Sequence, residues 1–137
     1  MLDTNAVSYI LRGQSARARR KMQNLGQDEE VCISSITEAE IRYGLAKRSL
    51  KPETRDRIER FLDTIDILPW DSAAARTYGT TRARLEAAGN PLQNMDLLIG
   101  SHAISAESVL VTNDRVFRHL GSALKTVNWA TDLPARA

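Results

Sequence analysis

Residues 30–48 read EVCISSITEAEIRYGLAKR. The apolar period changes in the middle of this stretch. Residues 30–35 form a short apolar run entering two serines, which predicts a buried strand. From 37 to 48, Ile41 and Leu45 lie four apart and Lys47 and Arg48 fall in the last turn, which predicts a helix. The same alternation continues outward. Pro52–Thr64 reads as an amphipathic helix with Ile58, Phe61, Leu62 and Ile65 on one stripe. IDIL at 65–68 is a short strand closed by Pro69. Asp71 is placed to cap a helix that runs through Tyr78, Arg82 and Leu85 to a stop at Gly89. Residues 94–106 predict another helix, SVLVT at 108–112 a continuous apolar strand, and KTV at 125–127 a last short one. Upstream, residues 5–12 predict a helix. Strands alternating with helices predict an α/β fold with a parallel sheet covered on both faces.

No repeat, low-complexity segment or linker interrupts the 137 residues, so the expectation is a single domain over 1–137. Its 19 Lys and Arg against 17 Asp and Glu leave a net charge of +2, too small to mark a nucleic-acid binder by charge alone. No apolar run approaches the length of a membrane span. The first residues carry Asp3 and no basic n-region, which reads as no signal peptide. A lone cysteine, Cys32, makes no internal disulfide, and a reducing cytoplasm is expected.

In parallel α/β sheets the ligand crevice lies beyond the carboxyl ends of the strands. The polar residues found there are Asp3-Thr4-Asn5, then Thr37, Glu38 and Glu40, then Asn113 and Asp114, with Asp96 in the first turn of the 94–106 helix. Each acid also has a purely structural reading. Asp3 suits the cap of the first helix. Thr37 and Glu40 match a T-x-x-E capping box. Asp96 suits a helix dipole, and Asp114 a turn. Capping explains each acid separately but not their common rim. Carboxylates about 5 Å apart repel by roughly 3 kcal/mol per pair at an effective dielectric near 20. A divalent cation resolves that repulsion, and all-oxygen donors select a hard ion, Mg²⁺ or Mn²⁺, over zinc. Thr4, Asn5, Ser34, Thr37, Thr112 and Asn113 are placed to orient the carboxylates.

Four stretches carry a resemblance: MLDTN at 1–5, ISSITEAEIRYG at 33–44, PLQNMDLLIGSHA at 91–103 and LVTNDRVF at 110–117. Together, in this order, they resemble the PIN domain and, more narrowly, the VapC ribonuclease toxins of bacterial type II toxin–antitoxin pairs. The resemblance places the family's four acids at Asp3, Glu40, Asp96 and Asp114, with Tyr43-Gly44 setting the register on Glu40 rather than Glu38. Met95 and Gly100 stand where Phe and Ala are commoner. The resemblance implies a three-layer α/β/α fold with a central parallel sheet. It implies Mg²⁺- or Mn²⁺-dependent hydrolysis of structured RNA such as tRNA by metal-activated water, leaving 5′-phosphate and 3′-hydroxyl ends. It also implies inhibition by a VapB-like antitoxin, and homodimers within toxin–antitoxin hetero-oligomers.

Arg12, Arg17, Arg19, Arg20 and Lys21 fall within ten positions that contain no acid. They read either as a solvated helix face or as contacts to an RNA backbone. His102 and His119 read as a packed residue and a surface residue. The stripe Val7, Ile10 and Leu11 reads as core or as a partner groove. Among other classes, a phosphoaspartate receiver needs adjacent acids where Asp3 is followed by Thr4. A dehalogenase-like phosphatase needs D-x-D where position 5 is Asn. The alternative is a non-catalytic or DNA-associated PIN domain acting as a regulator or scaffold.

Overall fold

The chain enters its own sheet at its second residue. In a computed structural model, which describes residues 1–136, the Leu2 amide donates to the Cys32 carbonyl at 2.8 Å. The Val111 amide donates to the Met1 carbonyl at 2.8 Å and the Asp3 amide to the Val111 carbonyl at 3.1 Å. Leu2 therefore bridges in parallel to Ile33 on one side and to Val111 on the other. Strand β1 (Cys32–Ser34) carries β2 (Asp66–Leu68) beside it, in parallel. Strand β3 (Leu110–Val111) carries β4 (Thr126–Val127), again in parallel. The order is β2, β1, the Met1–Leu2 segment, β3, β4.

Successive strand residues point to opposite faces. Leu2, Ile33 and Val111 join one apolar core with Val7, Tyr9, Leu45, Leu62 and Trp129. Their neighbours Met1 and Leu110 join a second core with Leu85, Leu97, Ile99, Phe117 and Leu120, and Cys32 packs against it. The first core lies under α1 (Thr4–Leu11), α2 (Ala16–Gln23), α3 (Ser35–Lys47) and α4 (Pro52–Thr64). The second lies under α5 (Ser72–Ala87), α6 (Asn94–Ser105) and a 3-10 segment, Arg115–Ala123. A sheet buried on both faces explains why its strands read as continuous apolar runs. The expected three-layer α/β/α architecture with a parallel sheet is the one observed.

Local signals place most boundaries. Pro52 starts α4, its missing amide being one that a first turn leaves unpaired anyway. Asp71 caps α5 by accepting from the Ala74 amide at 3.0 Å, and Gly89, at φ +73°, turns the chain away beyond Ala88. Gly100 has a packing reason. A Cβ there would come within 2.6 Å of Leu120 Cδ1, so glycine lets α6 approach the 3-10 segment.

Three details differ from the sequence reading. The strands are two or three residues long, shorter than the runs that announced them. The basic stretch after Gly13, whose solvated-helix reading carried no bounds, forms a helix of its own, α2, capped by Ser15, whose hydroxyl accepts from the Ala18 amide. Helix α3 begins at Ser35, capped by Ser34, which accepts from the Ile36 amide at 3.1 Å. Thr37 is thus inside the helix, fully buried, and the T-x-x-E capping box does not form.

Candidate active site

Asp3 follows the central strand directly, so the fold sets its side chain at the carboxyl edge of the sheet. It also caps α1: one carboxylate oxygen, Oδ1, accepts from the Ala6 amide at 2.6 Å. The cap that Asp3 suits is therefore formed, through one oxygen. The other oxygen, Oδ2, is buried and has no hydrogen-bond partner within 3.5 Å. Burial pushes the Asp3 carboxyl up to about 6. The Thr112 hydroxyl and the Ala6 amide oppose this, and the charges of Asp114 and Asp96 add to it.

Glu40 arrives from the second turn of α3. The Thr4 hydroxyl donates to Glu40 Oε1 at 3.0 Å and lies 3.5 Å from the Thr37 hydroxyl. Burial raises the Glu40 carboxyl above its ordinary value; the Thr4 bond lowers it and Asp96 raises it. Glu38, two residues earlier, points elsewhere and pairs with Arg42 at 2.7 Å on the exposed face of α3. Asp96 sits in the first turn of α6. Its carboxyl is raised by burial and by Asp114, and lowered by Arg136. Asp114 caps the 3-10 segment, accepting from the Val116 amide at 3.0 Å, while its own amide donates to the Thr112 hydroxyl at 3.0 Å.

Asp3, Glu40, Asp96 and Asp114 line one cavity of about 400 Å³, together with Thr4, Asn5 and Arg136. Four acids distant in sequence thus share one rim, and three of them carry carboxyls raised by burial and by one another. Among the described residues no three acid, histidine or cysteine side chains are drawn together into a closed metal cage. The donor set nevertheless fits a hard divalent cation. It consists of carboxylate oxygens alone, one of them buried without a partner, and their mutual repulsion is what a cation relieves.

The other expected residues divide. Thr4 and Asn5 line the cavity, and Thr112 stands against Asp3 and Asp114. Thr37 supports Thr4. Ser34 does something else: its hydroxyl caps α3 and lies 2.7 Å from His102 Nδ1, so it orients no carboxylate. His102 is the packed histidine expected, buried and held below its ordinary pKa by desolvation. Asn113 turns away as well. Its Nδ2 donates to the Pro134 carbonyl at 3.4 Å, and its carbonyl accepts from the Arg136 amide at 3.0 Å.

The basic cluster also splits. Arg12 lines two clefts that share residues with the acid cavity. Arg17 is tied to Thr131 at 2.8 Å. Lys21 lines a groove with Val31, Val109 and Trp129, at the amino ends of the strands, opposite the acids. Arg19 and Arg20 are exposed on α2. One residue was not foreseen. The C-terminal segment returns to the rim through a parallel bridge between Asp114 and Arg136, and the Arg136 guanidinium donates to Asn5 Oδ1 at 2.7 Å. Nothing local in LPAR at 133–136 announces this, because the contact exists only once the sheet has formed.

The chain matches the PIN domain family model over residues 1–123. It is 37% identical over 131 residues to a tRNA(fMet)-specific endonuclease VapC of Shigella flexneri, covering 95% of this chain and 97% of the relative. It is 34% identical to ribonuclease VapC2 of Rickettsia felis, over 83% of this chain and 85% of that one. Its fold superposes on the Rickettsia felis VapBC2 complex bound to a promoter DNA fragment with a TM-score of 0.86, at 32% identity, covering 94% and 97% of the two chains. For DNA-bound VapBC of Salmonella typhimurium the TM-score is 0.81 at 35% identity, over 94% and 96%. With this sheet order, this acid rim and these relatives, the chain belongs to the PIN domain family and, within it, to the VapC ribonucleases.

Proposed function

We propose that this chain is a metal-dependent endoribonuclease toxin whose engine is the cavity of Asp3, Glu40, Asp96 and Asp114. The observation that carries the reading is the buried, unpartnered Asp3 Oδ2 in a cavity shared with three further acids. An acceptor-only group left unpaired in the interior costs stability, and a cation converts that cost into binding. Asp3, Glu40, Asp96 and Asp114 would hold the ion, Mg²⁺ or Mn²⁺. Bound there, the ion supplies water activation and neutralises charge on the phosphate undergoing attack.

The remaining work falls to the chain's own groups. The Ala6 amide fixes Asp3 through Oδ1 and so aims Oδ2. Thr4 fixes Glu40 in the same way. Asp114 is held by its bond to the Val116 amide and by the Thr112 hydroxyl on its own amide. With these groups fixed, little reorganisation is needed when substrate arrives. No histidine lines the cavity, so proton transfer rests on the carboxylates and solvent. Direct hydrolysis of this kind leaves 5′-phosphate and 3′-hydroxyl ends.

The substrate is structured RNA, with tRNA the leading class, because the Shigella flexneri and Salmonella typhimurium relatives are named as tRNA(fMet)-specific. The regulator is a VapB-like antitoxin, since the structural relatives are VapBC complexes. Its seat is the groove between α1 and α3. Val7, Leu11, Ile41 and the exposed Tyr43 give that groove an apolar floor, and Arg12, Lys47 and Arg48 line it too. The protein works in the cytoplasm, as a homodimer within a toxin–antitoxin assembly. No helix among the described residues is long and apolar enough to cross a membrane.

The test is incubation of the purified, antitoxin-free chain with total RNA in Mg²⁺, in EDTA, and in Mg²⁺ with its antitoxin. Discrete cuts, present only in the first condition, support the proposal. Intact RNA under all three, from a folded and metal-binding chain, rejects it in favour of a regulatory or scaffold role.

A further inference from the structure

The acid cavity has a neighbour of opposite character. Beside it, between α1 and the returning C-terminal segment, lies a cleft of about 650 Å³. Asn5 and Arg136 line both spaces, so the two adjoin. The second cleft is lined by no acid. Arg12 and Arg136 line it, with Leu133 and Pro134 as an apolar patch.

Two of its lining residues are buried and unsatisfied. Tyr9 and Asn113 are 4% and 7% exposed, and the Tyr9 hydroxyl and Asn113 Oδ1 have no hydrogen-bond partner. Both residues line the cleft. Buried polar atoms are rarely left without partners; these two have no exposed surface, so a ligand in the cleft reaches them only if their side chains turn outward.

Arg136 is presented rather than consumed. Its backbone is pinned by the Arg136 amide on the Asn113 carbonyl and the Arg115 amide on the Arg136 carbonyl, each at 3.0 Å. Its side chain spends one donor on Asn5. It makes no ion pair with an Asp or Glu among the described residues, although it lines a cavity with three aspartates. A guanidinium has five donors in a planar fork suited to phosphate.

We infer that this cleft is a nucleotide subsite, holding the ribonucleotide next to the scissile phosphate. Arg136 and Arg12 take its phosphate, and Leu133 and Pro134 lie against its apolar surface. The inference rests on the ribonuclease reading and adds to it a place where substrate is held. Two arginines attract an acidic peptide as well as RNA; what favours RNA is that the cleft adjoins the acid cavity, where the ribonuclease reading puts the scissile phosphate.

The test uses Arg136→Gln, with Arg118→Gln, an exposed arginine of the 3-10 segment, as the control. Binding of a short fluorescein-labelled single-stranded RNA is followed by anisotropy in EDTA, across a series of salt concentrations. Loss of one charge-assisted phosphate contact should weaken binding about ten- to hundred-fold. It should also flatten the plot of log affinity against log salt by about 0.7. In Mg²⁺, Arg136→Gln should raise KM for RNA more than it lowers kcat, and Arg118→Gln should match wild type in both assays. Wild-type affinity and salt slope in Arg136→Gln would overturn the inference while leaving the nuclease intact. Arg136→Gln that loses only antitoxin affinity assigns the cleft to the protein partner and also overturns it. A wild-type chain that never cuts RNA in Mg²⁺ is a different failure, that of the ribonuclease reading itself.

Discussion

Asp3 and His102 are equally buried, each about 3% exposed, yet they end in opposite situations. His102 sits within the helical layer, where Nδ1 meets the Ser34 hydroxyl at 2.7 Å and desolvation keeps the ring neutral. Asp3 sits at the sheet's carboxyl edge with one oxygen bonded and the other unpartnered, facing like charges. The contrast separates two uses of a buried polar group. One is satisfied within the fold and stabilises it. The other is left incomplete, at a cost, for something that arrives later.

The largest break in that contrast is Asp3→Asn. Asparagine keeps the N-cap and removes the charge. RNA cleavage should fall by about a thousandfold, since several kcal/mol of charge stabilisation at the phosphate is lost. The metal-free variant should nevertheless be more stable than wild type at pH 7, by an amount bounded by about 3 kcal/mol. Parallel rate assays and urea denaturation check both halves.

The pH dependence sharpens the same point. Asp3 titrates at about 6 in the folded chain, above its unfolded value of 3.8. The folded state therefore holds the proton more tightly. The stability this gives is full below about pH 3.8 and is lost as pH rises through about 6. Metal-free protein should become less stable from pH 4 to 7, and Mn²⁺ should raise the melting temperature more at pH 7 than at pH 5. Metal affinity itself should fall as pH drops through about 6. Asp3→Asn should flatten both trends in calorimetric scans.

Two smaller changes divide the residues around the acids. Thr4→Val removes the bond that orients Glu40 and should reduce metal affinity or activity about ten- to hundred-fold, with little change in melting temperature. Ser34→Ala should do the reverse. It removes the α3 cap and the partner of His102, costing about 1–3 kcal/mol of stability with kcat unchanged. A Ser34→Ala chain that is stable but slow would show that Ser34 serves the acids after all.

These two residues also mark where the sequence stops being readable. Thr4 and Ser34 are both small hydroxyls next to a strand end, and nothing local distinguishes them. Which one meets a carboxylate depends on how α1 and α3 cross. The alternation of strands and helices and the candidate acids at the strand ends were readable because they follow from period and from the carboxyl-end rule; the order of the strands was not. The choice between Glu38 and Glu40 needed the family resemblance, and the structure gives it a reason in the Arg42 pair. The bounds of α2 were obscured by its mostly polar, basic surface, with only Ala18 buried. Arg136 was invisible because its place at the rim depends on a backbone bridge to Asp114 formed across the finished fold.

The most direct test of the account is Mn²⁺ titration by calorimetry of wild type, Asp3→Asn and Glu38→Gln. Glu38 is matched to Asp3 in charge and lies near Glu40 in sequence, but it pairs with Arg42 and does not line the acid cavity. The account predicts that Mn²⁺ binds wild type and Glu38→Gln alike, with proton release between pH 5 and 6.5, and does not bind Asp3→Asn. Mn²⁺ binding by Asp3→Asn with wild-type affinity would contradict it.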